Sequence, residues 1–305
     1  MGESKTTIDA AEWKLVLVFF AAACLIFLGT RTSLSIGHAG EALAIFPALA
    51  VAAIFYRYVR PDRKLADLLA VVLAIGLILF FGMLISFAAA VFGGRFDFRD
   101  PWLQSADAAL GFDWAGYAGF VSRHPFVAGA MRFAYASLLP QFFLVGMALV
   151  MTGQAARRKI YVLAVGSTLA ATLAIFVFMP AQAYQSGALL AALNEMRSSG
   201  VHTVSVDKLN GIISFPSYHT QAACLFIWAC WRMPYLRWPV LFLNLVLIAA
   251  TPIDGGHYAV DVLAGALIAA AVLLLCVNRA AILRRMRAVM PAQGRGSGEN
   301  FSSSR

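Results

Sequence analysis

The stretch Leu65–Phe92, LADLLAVVLAIGLILFFGMLISFAAAVF, decides the fold class. An α-helix rises about 1.5 Å per residue, so about 20 mostly apolar residues cross roughly 30 Å of hydrocarbon. Leu65–Phe92 is longer than that. Seven more apolar runs follow from it in both directions: Trp13–Gly29, Glu41–Val59, Pro125–Met151, Ile160–Met179, Tyr218–Met233, Leu236–Ile253 and His257–Val277. The Tyr218–Met233 run is short, and Pro234 marks its end. The expectation is an all-α polytopic membrane bundle of about eight transmembrane helices.

Composition agrees. The chain has 305 residues, of which 61% are hydrophobic and 13% charged. A soluble domain carries about 25% charged residues. Mean hydropathy is +0.77. This excludes a soluble enzyme, a disordered chain and a nucleic-acid-binding domain. The net charge of +9 sits between apolar runs, so nucleic acid is not expected as a partner and membrane lipids are. Cys24, Cys224, Cys230 and Cys276 all lie inside apolar runs, so no disulfide is expected. The first span carries Glu3, Asp9 and Glu12 on its flank and no small-residue cleavage pattern, unlike a signal peptide.

Lys and Arg orient the spans. With the N-terminus in the cytoplasm, seventeen of the 24 fall on the cytoplasmic side, in the segments around Lys5, Arg57–Lys64, Arg157–Lys159 and Arg232–Arg237 and in the tail. Six fall outside: Arg31, Arg95, Arg99, Arg123, Arg197 and Lys208. Arg132 lies within a span. The bias alternates through all eight spans. Both termini are then cytoplasmic, and His38, His124, His202, His219 and His257 all face the periplasm or a lumen. The outer loops carry no usable sequon, which points to a bacterial inner membrane; Asn300-Phe301-Ser302 falls on the cytoplasmic side. Met1–Thr6 fits the myristoylation pattern, but one acyl chain adds little to eight spans.

Three regions are expected. Residues 1–64 hold a cytoplasmic segment and two additional spans. Residues 65–278 form a six-helix core with outer loops 93–124 and 181–215. Residues 279–305 form a basic, flexible tail against anionic headgroups. Loop 93–124 is expected as an interfacial cap of short amphipathic helices, and its Asp97, Asp100, Asp107 and Asp113 as solvated groups. Loop 181–215 has a helical pattern near 188–196.

Two segments enter the membrane from outside with chemistry in them: Phe215-Pro216-Ser217-Tyr218-His219-Thr220 and Asp254-Gly255-Gly256-His257-Tyr258-Ala259-Val260-Asp261. His257 and Asp261 are four apart and share a helix face. The carboxylate accepts from one imidazole nitrogen and leaves the other as nucleophile or base. An Asp within a span is costly and functional by default. Gly255 and Gly256 let backbone N–H groups approach an anion at a helix N-terminus. Ser217 caps the helix starting at Tyr218, and Ser217 and Thr220 carry hydroxyl donors for phosphate oxygens. Between His219 and His257 the chain makes one pass in and one pass out, which returns both to the same membrane face. The set suits attack on a phosphoester and protonation of its leaving oxygen. A lone His at a helix end is an interfacial polar group, and His38, His124 and His202 are read that way.

Pro216-Ser217-Tyr218-His219 resembles the Pro-Ser-Gly-His motif of the type 2 phosphatidic acid phosphatase superfamily. Gly256-His257-Tyr258, with Asp261 and Gly265, resembles its last motif. Leu110–Trp114 and Tyr135–Gln141 resemble the branch containing inositol phosphorylceramide synthase, an inositolphosphotransferase-like group. The resemblance spans roughly residues 100–275. It implies a six-helix core, a phosphohistidine on His257, Asp261 orienting it, His219 as general acid, and neither metal nor cofactor. The substrate-binding set expected is Ser217, Thr220, Gly255, Gly256, Tyr258, Arg132 and Lys208. The superfamily's first motif, a Lys and an Arg-Pro, has no match: Met179–Tyr184 stands near its place without a cation. The Ser-Arg before the nucleophile is Ala250-Thr251 here. Arg132, Lys208 and Arg197 are the cations left to replace them. A dianionic monoester wants more positive charge than a monoanionic diester. The expectation is therefore a membrane lipid phosphatase or phosphotransferase, leaning to phospho-headgroup transfer onto a lipid alcohol. Its rivals are plain hydrolysis of a lipid phosphate, a proton-coupled transporter, an inactive scaffold, and vanadate-dependent oxidation.

Overall fold

The computed structural model describes residues 10–30, 33–35, 39–93, 96–182, 184, 203–205 and 213–289. Its elements, in chain order, are α1 (Ala10–Thr30), β1 (Ser33–Ser35), α2 (Ala39–Leu43), α3 (Ile45–Ile54, continued by a π-helical turn Phe55–Val59), α4 (Arg63–Gly93), α5 (Asp100–Ala109) and α6 (Trp114–Arg123). Then come α7 (Pro125–Ala136), α8 (Leu138–Met151), α9 (Ala155–Phe178), β2 (Thr203–Ser205), α10 (Tyr218–Cys230), α11 (Arg237–Asp254) and α12 (Ala259–Val289). His38, Arg197, His202, Lys208, the 188–196 pattern and the tail beyond residue 289 lie outside the described residues.

The protein is a polytopic helical bundle. Among the described residues, five helices are long and apolar enough to cross a membrane: α1, α4, α9, α11 and α12. The pair α7–α8 makes a sixth if it counts as one span; it bends by 55°. Pro140 has no N–H for the Ala136 carbonyl, so the ladder breaks there. The Ser137 hydroxyl donates instead to the Ala134 carbonyl at 2.6 Å.

The two remaining apolar runs are helical but short, for reasons of backbone chemistry. Pro47 has no N–H for the Leu43 carbonyl, and the helix breaks at Ala44, between α2 and α3. The turn after α3 ends before Pro61, which disfavours helix in the residue ahead of it. Helix α10 has 13 residues, about 20 Å of rise. Pro216 stands before it and Pro234 after its last turn.

Helix α4 packs against α1, α3, α8 and α9; α10 packs against α8, α9, α11 and α12; α7 lies on α11. The core holds Val71, Ile75, Phe142, Leu149, Tyr161 and Phe226, all buried. Lipid tails are as apolar as Leu, so close packing and interhelical hydrogen bonds hold such helices together. Tyr161 donates to the Phe142 carbonyl at 2.9 Å. Gln221 Nε2 donates to Thr172 Oγ1 at 2.7 Å. Asn244 Nδ2 donates to Gln141 Oε1 at 2.7 Å. β1 and β2 pair in parallel, Ser33 opposite Thr203 and Ser35 opposite Ser205. All four cysteines are free thiols.

Arg158 on α9 and Glu12 on α1 form a buried ion pair at 3.5 Å. Removing one member leaves an uncompensated charge, at about 3–5 kcal/mol. Arg158→Ala should lower the thermal unfolding temperature in detergent. Glu12→Leu combined with Arg158→Met should recover most of the loss. A double variant no more stable than Arg158→Ala would count against a charge-burial origin.

Candidate active site

Helix α10 starts with Ser217 as its cap. The Ser217 Oγ accepts from the Thr220 N–H at 3.3 Å and from the Thr220 hydroxyl at 3.2 Å. Ser217 and Thr220 are both buried. The cap was expected. The hydroxyls were also expected to reach phosphate, but Thr220 is turned to Ser217 and packed toward α12. Gly265 explains that fit: a Cβ there would stand 2.5 Å from the Ser217 carbonyl and 3.2 Å from Thr220 Cβ. Only a residue without a side chain lets α12 cross α10 this closely.

His219, half-buried, sits one residue into α10. Its ring stacks on Tyr135 of α7, with centroids 4.3 Å apart and planes at 15°. Its other neighbour is His257, edge-on, with centroids 5.9 Å apart at 66°. The 55° break after Ala136 sets Tyr135 at the end of α7, beside this pair. The Tyr135 hydroxyl and the His257 ring converge on Gly255. A Cβ on Gly255 would lie 2.8 Å from the hydroxyl and 2.7 Å from His257 Cδ2.

His257 is 2% exposed and Asp261 is 0%. The His257 Nδ1 lies 3.3 Å from Asp261 Oδ2. That oxygen also accepts from the Tyr258 N–H at 3.0 Å. The contact fixes the tautomer with Nδ1 protonated and leaves Nε2 with its lone pair. The Ser217 N–H donates to the Asp261 carbonyl at 3.2 Å, tying the two motif segments together. The chain thus brings His219, His257, Asp261, Ser217, Thr220, Gly255 and Gly256 into one locus.

Helices α5 and α6 and the end of α9 cover it. Tyr258 donates to Asp100 at 3.0 Å and accepts from Gln104 at 3.3 Å. Asp100 also accepts from the Gln182 N–H at 3.0 and 3.1 Å. Trp114 Nε1 donates to the Pro252 carbonyl at 2.9 Å, and Tyr117 to the Ala249 carbonyl at 2.8 Å. Tyr184 stacks on Trp114 at 4.3 Å, and its N–H donates to the Gly256 carbonyl at 2.8 Å.

The N-terminus of α12 departs from expectation. It was expected to offer its N–H groups to an anionic ligand. Asp107 of α5 fills that place: its two oxygens accept from the Ala259 and Val260 N–H groups, each at 2.9 Å. Asp107 is 3% exposed, not a solvated loop carboxylate. The Gly255 N–H donates to the Thr251 carbonyl at 3.1 Å and is not turned to a ligand. The sequence did carry a signal for Asp107. It lies four residues after Leu103, on the buried side of an amphipathic helix.

The locus is acidic. Burial, and then the charges of Asp107, Asp113 and Asp261, push the Tyr184 hydroxyl above the ordinary tyrosine range. Arg132, exposed on α7, carries positive charge toward Asp254, next to Gly255. Among the described residues no group of three His, Cys, Asp or Glu side chains is arranged to hold a metal ion. His124 stands apart at the start of α7, bonded through Nδ1 to the Phe120 carbonyl at 2.8 Å.

A buried carboxylate that caps a helix contributes about 0.5–2 kcal/mol. Asp107→Ala should lower unfolding stability by that order and disturb the Tyr258–Asp261 turn. Asp107→Asn keeps one acceptor and should lose less. Thermal unfolding of the three proteins in one detergent decides it.

A family model described as the PAP2 superfamily matches residues 101–275, more than half of the chain. No curated protein and no solved structure matches it. The matched stretch begins in α5, runs into α12 and contains His219, His257 and Asp261. On that match, the chain belongs to the PAP2 superfamily, the type 2 phosphatidic acid phosphatases.

Proposed function

We propose that this chain is a membrane phosphotransferase that moves a phospho-headgroup from a lipid donor to a lipid alcohol through a phosphohistidine on His257. Superfamily membership supports a lipid phosphatase-type activity. The observation that carries the finer reading is the pair of imidazoles 5.9 Å apart, one backed by a buried carboxylate at 3.3 Å.

The steps balance as follows. His257 Nε2 attacks phosphorus, and the bond from phosphorus to the donor's lipid oxygen breaks. His219 gives that oxygen a proton and releases the first lipid alcohol. A second alcohol then loses its proton to His219, attacks phosphorus and frees His257. Asp261 holds the His257 ring and stabilises its positive charge while the phosphorus–nitrogen bond exists. No metal takes part in this scheme.

Two features support transfer over hydrolysis. The locus is rich in carboxylates, and Arg132 is the cation whose charge reaches its edge at Asp254. That suits a monoanionic diester better than a dianionic monoester. The site is also roofed by α5, α6 and the Trp114–Tyr184 stack, which restricts water. The locus faces the non-cytoplasmic side in this reading, with both termini cytoplasmic.

Purified protein would be given phosphatidate or phosphatidylinositol, each with and without ceramide or diacylglycerol, in the presence of chelator. Mass spectrometry reads the products. A new phospholipid that needs the acceptor is expected, and it should vanish in His257→Ala. Free phosphate from phosphatidate alone would make the protein a phosphatase.

The roles separate by leaving group. His219→Ala should slow turnover of a lipid donor roughly 10²–10⁴-fold. With a p-nitrophenyl phosphodiester, whose leaving group needs no proton, the loss should shrink sharply. An equal loss on both donors would deny His219 the acid role.

A further inference from the structure

A second polar site lies at the far end of the bundle from His257. A cavity of about 290 Å³ opens between the start of α4, the end of α8 and the start of α9. Arg63, Lys64, Asp67, Leu149, Val150, Met151, Gly153, Ala155 and Arg158 line it. The 24 residues of α9, about 36 Å of helix, separate it from the end where Ala181 packs beside Tyr258.

Its chemistry is divided. Three cationic side chains line it with one carboxylate, Asp67, and Arg158 is already paired with Glu12, so Arg63 and Lys64 carry the excess positive charge. Arg158 and Asp67 are buried and make its floor; Arg63 and Lys64 are exposed and make its rim. Arg158 is held in place by Glu12 from below. The positive end of α9 adds to the field at Ala155, whereas that of α4 is capped by Asp62, which accepts from the Leu65 N–H at 3.0 Å. The remaining wall is apolar: Leu149 and Val150, with Met151 54% exposed beside them. The neighbouring Arg157 is directed elsewhere. Its guanidinium lies 4.1 Å over the Trp228 ring and donates to the Trp228 and Ala229 carbonyls.

We propose that this cavity is a binding site for a phosphate group, with the headgroup of an anionic phospholipid in the opposite leaflet as its occupant. The rim cations Arg63 and Lys64 hold the phosphate, while Val150 and Met151 lie against the start of the acyl chains. Basic pockets between membrane helices at such an interface bind anionic headgroups in this way. The site is separate from the catalytic locus and does not depend on the reaction assigned to it.

The test uses full-length protein in detergent with three probes: dioleoylphosphatidylglycerol, dioleoylphosphatidylcholine and inorganic phosphate. Native mass spectrometry counts retained lipid, and thermal unfolding follows phosphate. Arg63→Gln with Lys64→Gln removes two rim charges from exposed positions, so folding is spared. Arg57→Gln with Arg60→Gln removes two exposed charges that do not line the cavity. The rim variant should retain phosphatidylglycerol roughly tenfold less than wild type. The control variant should retain it like wild type, and phosphatidylcholine should bind all three alike. Inorganic phosphate that raises the unfolding temperature of wild type but not of the rim variant, with lipid retention unchanged, would assign the same site to free phosphate. Equal losses in rim and control variants, or no loss in either with no phosphate-dependent difference in unfolding between wild type and the rim variant, would overturn the site.

Discussion

Asp261 is the constraint on which the site depends. Its Oδ2 accepts from the His257 imidazole and from the Tyr258 N–H. Its own carbonyl accepts from Ser217, the cap of the helix that carries His219. One residue therefore holds the His257 tautomer, the start of α12 and the start of α10. A carboxylate with no exposed surface is expensive in an apolar bundle. It is tolerated because these donors converge on it, and the same convergence sets the two imidazoles against each other.

The packing around that residue depends on close approach. Both donors to its carboxylate fall on Oδ2, while Oδ1 is buried without a hydrogen bond among the described residues. Gly265 brings α12 within van der Waals reach of the Ser217 carbonyl. Asp107 closes the N-terminus of α12 from the side. Tyr135 covers the open face of His219 from a helix that is bent where Pro140 interrupts it. Asp107 satisfies two backbone N–H groups that a helix end would otherwise leave without partners, while Gly265 and Tyr135 act by fit, one by giving up a side chain and the other by stacking.

Much of this was legible in the sequence. The apolar runs announce a membrane bundle, and His219, His257 and Asp261 stand out as polar groups where hydrocarbon disfavours them. The prolines show why two of the eight runs are shorter than a span. Pro234 was noticed. The effect of Pro47 on the Leu43 carbonyl needed the helix register. Asp107 was hidden because an acidic residue in an outer loop is usually hydrated. Its burial depends on α5 lying across α12, a contact between residues about 150 positions apart. The hydroxyls of Ser217 and Thr220 looked available for a ligand. Their mutual bond depends on how closely α12 approaches, which Gly265 decides. The roles of Lys208 and Arg197 as replacement cations fall outside the described residues.

The short length of α10 has a consequence for how substrates arrive. Its far end and the turn into α11 carry Trp231, Tyr235 and Trp238, all exposed, the kind of aromatic cluster that settles at a membrane–water boundary. Thirteen residues measured from that level end about 10 Å short of the opposite boundary. The imidazole pair then sits about 10 Å below the boundary opposite that aromatic cluster, inside the leaflet and not above it. A lipid reaches it by lateral diffusion, keeping its chains in hydrocarbon, and is never lifted into water. In the transfer reaction proposed above, donor and acceptor would meet the site in a plane, at the concentrations of a membrane.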